Sequence, residues 1–215
     1  MILVPVKNLA NAKQRLAAVM EQAARTEFAH AMLEDVLQAL AESAADQVSL
    51  VSADPFALEL ANHHRFAVIP DDSNLSETAA IEMATRLCES RGIHSTLVIP
   101  ADIPLIEAED IRAIYERAPE KGTVLVPAAD QRGTNAALRR PAALFPLRFG
   151  NGSFVPHLLA AIATHATCVV LSLPRIALDI DTPEDLQQLV NAGSEKRSQR
   201  LTRKLGFSAA VAVDA

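Results

Sequence analysis

The chain has 215 residues, half of them apolar, and a formal net charge of −6. That length and composition suit one good-sized domain with a substantial core, and the acidic balance argues against coating nucleic acid or docking on an anionic membrane. With no Trp and a single Tyr, stacking of a base or sugar on an aromatic platform is disfavoured as a binding mode.

The first residues, Met1-Ile2-Leu3-Val4-Pro5, pass directly into a predicted strand over 1–6 without a basic leader or cleavage site. No apolar run reaches the ~20 residues of a membrane span. Cys88 and Cys168 lack metal-ligand spacing and read as small hydrophobes in a reducing compartment. A cytoplasmic protein is expected. A loop over 7–13 follows the first strand, and Phe28, Met32, Leu33, Val36, Leu37 and Leu40 then recur at helical spacing over 21–42. A second strand is predicted over 48–52, with Asp54-Pro55 as cap and first turn of the next helix. A third strand covers 66–69, and a polar loop over 71–75 leads to Ser76, which caps a helix reaching residue 91.

Thr96-Leu97-Val98-Ile99 is apolar enough to be a central strand covered on both faces. Pro100 stops it, and Asp102 lies just past its carboxyl end, where open α/β sheets collect ligands. Pro104 restricts the loop that holds the carboxylate. A helix over 107–117 and a strand over 123–126 come next, then a short strand over 133–139 and an irregular stretch. A helix over 153–164, a strand over 167–173 and an apolar approach over 176–180 lead to Asp181. Thr182-Pro183-Glu184-Asp185 then opens a helix. The repetition of strand and helix predicts an α/β fold with a mostly parallel, doubly wound sheet, in a single domain over 1–192. Residues 193–215 carry Lys196, Arg197, Arg200, Arg203 and Lys204 against two acids, and form a basic C-terminal tail, loosely packed as a helix or frayed.

Three groups of residues carry chemistry. Lys7, Lys13 and Arg15 place three cations in the first β-α loop, suited to a polyphosphate, although the loop lacks the glycines of a Walker or dinucleotide motif. A solvated surface loop explains them equally well. Asp179-Ile180-Asp181 places two carboxylates on one side of an extended segment. With Asp102 they make three hard oxygen ligands after two separate strands, a set suited to Mg²⁺. Without a cation such carboxylates repel by ~4 kcal/mol per close pair at an effective dielectric near 20. Finally, Arg132-Gly133-Thr134-Asn135 offers amides and a hydroxyl on a tight turn, and Phe149-Gly150-Asn151-Gly152-Ser153 offers close backbone approach at a helix start. The remaining histidines (His30, His63, His64, His94, His165) read as surface or core residues.

Taken in order, these motifs resemble one family, the 2-phospho-L-lactate or phosphoenolpyruvate guanylyltransferases of coenzyme F420 biosynthesis. The resemblance covers most of residues 1–190. It rests on Pro-Val-Lys-Asn and Ala-Lys-x-Arg-Leu within 5–16, Pro-Ala-Asp-Ile-Pro-Leu at 100–105 and Gly-Thr-Asn-Ala at 133–136. Phe-Gly-x-x-Ser-Phe-x-x-His at 149–157 and Asp-x-Asp-Thr-Pro-x-Asp-Leu at 179–186 complete it. It implies a GT-A-like nucleotidyltransferase fold and transfer of GMP from GTP to a phosphorylated C3 acid (phosphoenolpyruvate, 2-phospho-L-lactate or 3-phospho-D-glycerate). By similarity, Asp102, Asp179 and Asp181 hold Mg²⁺, and Lys7 and Asp102 are catalytic. Pro5, Val6, Lys7, Lys13, Arg15, Ser73, Asn74, Leu75, Ser76 and Pro100 hold the nucleotide, and Thr134, Asn135, Gly150 and Ser153 the acceptor. One departure bears on the base: Ser73 and Asn74 stand where the family has glycines, and Ser76 where it has asparagine. GTP and a small phosphorylated acid are the expected partners, with neither nucleic acid nor membrane, and a homodimer as a possible assembly. The alternatives are another nucleotidyltransferase, a nucleotide-sugar glycosyltransferase or a non-catalytic nucleotide-binding domain.

Overall fold

Strand β1 (Ile2–Pro5) is buried along its whole length. Ile2 and Val4 enter one apolar cluster, Leu3 the other, so a continuous apolar run is what a strand covered on both faces requires. The same alternation recurs in β2 (Val48–Val51), where Leu50 and Val51 divide between the clusters, and in β4 (Thr96–Val98) with Leu97 and Val98. The computed structural model describes residues 1–43, 47–71, 75–150 and 152–208.

Helices α1 (Gln22–Glu42), α2 (Pro55–His64) and α4 (Ala108–Glu116) cover the first face through Leu33, Val36, Leu37, Ala57, Ala61, Ile111 and Ile114. Helices α3 (Glu77–Ser90) and α5 (Phe154–Ala163) cover the second through Ala80, Ile81, Ala84 and Phe154. The expected caps are present: Asp54 Oδ1 accepts from the Phe56 and Ala57 amides, and Ser76 Oγ from that of Ala79.

Strands β3 (Ala67–Ile69), β5 (Gly122–Pro127), β6 (Thr134–Arg140) and β7 (Thr167–Val170) complete a seven-stranded sheet of order β3-β2-β1-β4-β6-β5-β7. The chain leaves β1 toward β2 on one side, yet β4 pairs with β1 on the other. The crevice between the ends of β1 and β4 is therefore the topological switch point. The loop after β1 and Asp102 both open into it. Strand β6 is the exception to parallel pairing: it runs antiparallel to β4 and β5, with Val98 opposite Ala137. Its start, not its end, lies at the carboxyl edge of β4, which carries Thr134 and Asn135 to the same edge as Asp102.

One stretch differs from expectation. Strand β7 stops at Val170 rather than 173, and a short helix, α6 (Pro174–Ala177), overlaps the start of the apolar approach expected over 176–180. Pro174, with φ already set for a helix, opens that turn and lets Ile176 reach the core. In the basic tail, α8 (Arg197–Lys204) follows α7 (Pro183–Asn191) and packs on α1. Buried Asp35 of α1 accepts from the Arg197 and Ser198 amides (2.8 and 2.9 Å) and from the Ser198 hydroxyl (2.6 Å), capping α8 from outside. Residues 209–215 of the tail lie outside the described residues. Among the described residues no helix is long and apolar enough to cross a membrane.

The Asp35 cap makes a direct prediction. Asp35→Ala removes three hydrogen bonds to a charged group and should lower stability by about 2 kcal/mol. A fall in the urea midpoint at unchanged slope is the expected result, and an unaltered midpoint would show that α8 contributes nothing to the fold.

Candidate active site

The first β-α loop is held open rather than left loose. Ser52 Oγ donates to the Val6 carbonyl (2.7 Å), the Leu9 amide donates to Asp54 Oδ2 (2.9 Å), and Gln22 Nε2 donates to the Ala10 carbonyl (2.5 Å). These anchors carry the loop across the switch point and turn its cations inward. The result is one cleft of about 1070 Å³, lined by Pro5, Val6, Lys7, Lys13, Arg15, Pro100, Asp102, Thr134, Asn135, Gly150, Ser153, Asp179 and Asp181. These residues thus converge from distant segments, Lys13 and Asp181 from 168 positions apart.

Asp102 and Asp181 are brought together by one ammonium. Lys13 Nζ lies 2.8 Å from Asp102 Oδ2 and 2.9 Å from Asp181 Oδ1, and Arg15 Nη1 lies 3.3 Å from Asp181 Oδ2. The backbone closes the same junction, with the Ile180 amide donating to the Asp102 carbonyl (3.0 Å). Ile180 is fully buried, so Asp179 and Asp181 face the cleft on either side of it. Asp185 braces the segment: its Oδ2 accepts from the Asp181 and Thr182 amides, completing a capping box with Thr182.

The charges respond to this crowding. Burial lowers the Lys13 pKa, but Asp102 and Asp181 raise it further, and it ends above the ordinary lysine value. Burial raises that of Asp181, yet Lys13 and then Arg15 outweigh it and hold the carboxyl below its usual range. Asp179 is shifted upward by burial, with Asp102 adding to the shift. Glu77, at the first position of α3, also lines the cleft, and burial followed by the Asp102 charge pushes it up to about 7. Lys7 pairs with buried Asp71 at 3.4 Å.

Among the described residues no three His, Cys, Asp or Glu side chains stand ready-made around a metal position. The donor chemistry nonetheless fits a hard divalent cation, because the carboxylates already gather positive charge and a lysine ammonium stands between two of them.

The side of the cleft formed by residues 130–135 and 149–153 is organised differently from the sequence expectation. The Arg132 and Gly133 amides donate to Asp130 Oδ1 (2.8 and 3.4 Å), so the turn presents the Thr134 hydroxyl rather than its N–H groups. Asn135 Nδ2 is committed to the Ile176 and Ala177 carbonyls and to Asp179 Oδ1 (2.9 Å), which makes it a brace for Asp179. Gly150 and Gly152 have φ of +131° and +74°, a region open to glycine. Leu75 and Ser76 do not line the cleft: Leu75 is 80% exposed at the described edge of its loop and the Ser76 hydroxyl caps α3. Ser73 and Asn74 lie outside the described residues.

Sequence reasoning gave no role to three groups. Glu77 follows a capping serine and reads as an ordinary first-turn acid. Asp185 reads as part of a helix start. His157 appears only as the last residue of a motif, yet it is 1% exposed and its Nε2 accepts from the Arg148 amide at 2.7 Å. Its Nδ1 therefore carries the proton and donates to Thr134 Oγ1 at 2.9 Å. Thr134 is left with its own proton for a ligand. A buried histidine at the end of Ser-Phe-x-x-His, one helical turn past Ser153, was the available signal.

A cleft at the switch point of a twisted α/β sheet, with carboxylates and basic side chains at its carboxyl edge, has the architecture of the nucleotidyltransferase and nucleotide-sugar transferase folds. A candidate nucleotide-diphospho-sugar transferase from Desulfovibrio desulfuricans G20 superposes with a TM-score of 0.76 at 20% identity, over 94% of this chain and 93% of its own. A nucleotidyl transferase from Methanothermobacter thermautotroptrophicus gives 0.60 at 16% identity, over 94% and 97%. The model of the family described as guanylyl transferase, CofC like, matches residues 1–213, and the chain belongs to that family. It is 39% identical to the phosphoenolpyruvate guanylyltransferase of Rubrobacter xylanophilus, over 88% of this chain and 93% of that protein. To the 2-phospho-L-lactate guanylyltransferase of Methanothermobacter thermautotrophicus it is 31% identical, over 96% and 91%.

The His157 environment predicts a pH dependence of stability. Burial, reinforced by Arg139, lowers its pKa from 6.5 to about 4. Below pH 6.5 the unfolded chain takes up a proton that the folded one refuses, so this contribution is complete above 6.5 and lost as pH falls toward 4. The shift corresponds to roughly 3 kcal/mol at most. Comparing wild type with His157→Phe in urea between pH 7.5 and 4 should show the wild type losing more stability, and parallel curves would contradict a buried neutral imidazole.

Proposed function

We propose that this protein is a Mg²⁺-dependent guanylyltransferase of coenzyme F420 biosynthesis, acting in the cytoplasm. It transfers GMP from GTP to the phosphate of phosphoenolpyruvate, 2-phospho-L-lactate or 3-phospho-D-glycerate. The observation that carries this reading is the convergence of Asp102 and Asp181 on one ammonium, with Asp179 facing the same cleft beside the cationic first loop. Family membership and the names of the relatives support the choice of nucleotide and acceptor.

In this reaction an oxygen of the acceptor phosphate attacks the α-phosphorus of GTP, a new P–O bond forms, and the bond to the bridging oxygen breaks to release pyrophosphate. A phosphate monoester is largely dianionic at neutral pH, with a second pKa near 6, so no general base is needed. The difficulty is bringing two anions into line, and catalysis is positioning plus charge neutralisation. Asp102, Asp179 and Asp181 would hold the Mg²⁺, which when bound offsets phosphate charge and polarises the phosphoryl oxygens.

The residues of the chain divide the remaining work. Lys7 meets the acceptor phosphate or the transferred phosphoryl group, and Lys13 and Arg15 support the triphosphate. Thr134, oriented by His157, and Ser153 hold the acceptor's anionic groups beside the glycine-permitted backbone of Gly150. Asn135 fixes Asp179, and Pro5, Val6 and Pro100 form the walls against the nucleotide. Ser73, Asn74, Leu75 and Ser76 belong to the loop assigned to the base.

Offering each nucleoside triphosphate with each of the three acids and measuring pyrophosphate tests the proposal. Release is expected with GTP, Mg²⁺ and at least one acid, and a protein silent with every pairing would not be a guanylyltransferase. Asp102→Asn should lower kcat by at least about 100-fold with the fold intact, as judged by an unchanged circular dichroism spectrum. Thr134→Val should chiefly raise KM for the acid, because it removes one donor to the ground-state ligand.

A further inference from the structure

The Asp102–Asp181 pair is already bridged, and the bridging group is the most enclosed member of the trio. The Lys13 side chain is 8% exposed, against 32% and 39% for the two carboxylates. Its Nζ stands 2.8 and 2.9 Å from their oxygens. The backbone at Lys13 is left-handed, with φ 56° and ψ 42°, a conformation that non-glycine residues adopt infrequently and that clusters at functional positions. The chain thus takes an unfavourable turn at the residue that delivers an ammonium between two acids.

Resting on the metal-dependent reading above, we infer that Lys13 is the resident counter-ion of Asp102 and Asp181, displaced when a divalent cation arrives together with the nucleotide. Two cations cannot share the space between the same two oxygens, because their repulsion at that range is strong even at the protein's effective dielectric. Free metal entering alone would therefore eject an ammonium into a cleft where it has lost both partners. Metal entering with a triphosphate supplies new anionic partners within the same cleft. Lysine suits the exchange: its charge is compact and its stem flexible, whereas a guanidinium gripping a carboxylate through two N–H bonds is geometrically fixed. Arg15 does not compete for the role, since its side chain is 60% exposed and it meets Asp181 at the oxygen that Lys13 does not contact. The consequence is reciprocal coupling, in which nucleotide raises the protein's affinity for metal and metal raises its affinity for nucleotide.

The test is metal binding in the absence of turnover. Free and bound Mn²⁺ are measured by electron paramagnetic resonance for the wild type and Lys13→Met, with and without α,β-methylene-GTP. Without nucleotide, Lys13→Met should bind Mn²⁺ at least about tenfold more tightly than the wild type. Adding the analogue should tighten Mn²⁺ binding at least about tenfold in the wild type and much less in the variant. Thermal melts separate this from a structural role. Lys13→Met should melt lower than wild type without metal and recover on adding Mn²⁺ at a concentration that leaves the wild type unmoved. If the methionine variant does not fold, Lys13→Gln, which keeps N–H donors for the carboxylates, is measured in the same way. Equal Mn²⁺ affinity of variant and wild type without nucleotide overturns the inference, as does a melting loss that metal does not reverse. A wild type that releases pyrophosphate beside such a result leaves the enzyme reading standing. Tighter Mn²⁺ binding in the variant beside a wild type inert toward every acid supports the counter-ion and removes the guanylyltransferase.

Discussion

Asp102, Asp179, Asp181 and Glu77 face one cleft at the carboxyl edge of the sheet, and their mutual repulsion sets the terms for everything around them. Lys13 offsets it by lying between Asp102 and Asp181, and Arg15 adds to it from outside. Burial raises the other two carboxyls, with the Asp102 charge adding to the shift: Glu77 is pushed up to about 7 although Lys7 and Lys13 oppose it, and Asp179 shifts in the same direction. The first loop, with its anchors at Ser52, Asp54 and Gln22, is the part of the fold that makes the cluster tolerable.

The antiparallel strand β6 gives the cleft its second half. A wholly parallel sheet would present only strand ends at this edge, and the loops after β1 and β4 would have to supply every contact. Reversing one strand brings the start of β6 beside the end of β4, with Thr134 and Asn135 next to Asp102. The loop after β6 then returns to the cleft, where Phe149 exchanges hydrogen bonds with Thr78 of α3 and His157 orients Thr134. Nucleotide-facing and acceptor-facing groups in the proposed reaction thus come from different halves of the sheet and meet at the switch point.

Much of this arrangement is legible in the residue order, because it rests on local chemistry. Proline and glycine punctuate the elements where expected, and Asp54, Ser76 and Thr182 cap helices by short-range hydrogen bonds. Helical and strand periodicities mark which side chains are buried, since each face of each element must find apolar cover. The misread stretches have local causes as well. Residues 174–177 are too few to show a helical period, so the sequence shows no sign of that turn. Asp130 lies three residues before Gly133, and a side chain that folds back on its own turn leaves no periodic trace.

The sequence alone therefore determined the α/β class, the element order apart from α6, and the helix caps, because these follow from contacts within a few residues. It also singled out the acids and cations of the cleft other than Glu77, Asp130 and Asp185. Only the tertiary structure decided what those groups do to one another. That Lys13 stands between Asp102 and Asp181, that Asn135 braces Asp179, and that His157 is neutral and aims Thr134 all depend on distances between segments tens of residues apart. Charge, tautomer and pKa are properties of such neighbourhoods, and a neighbourhood exists only once the chain has closed.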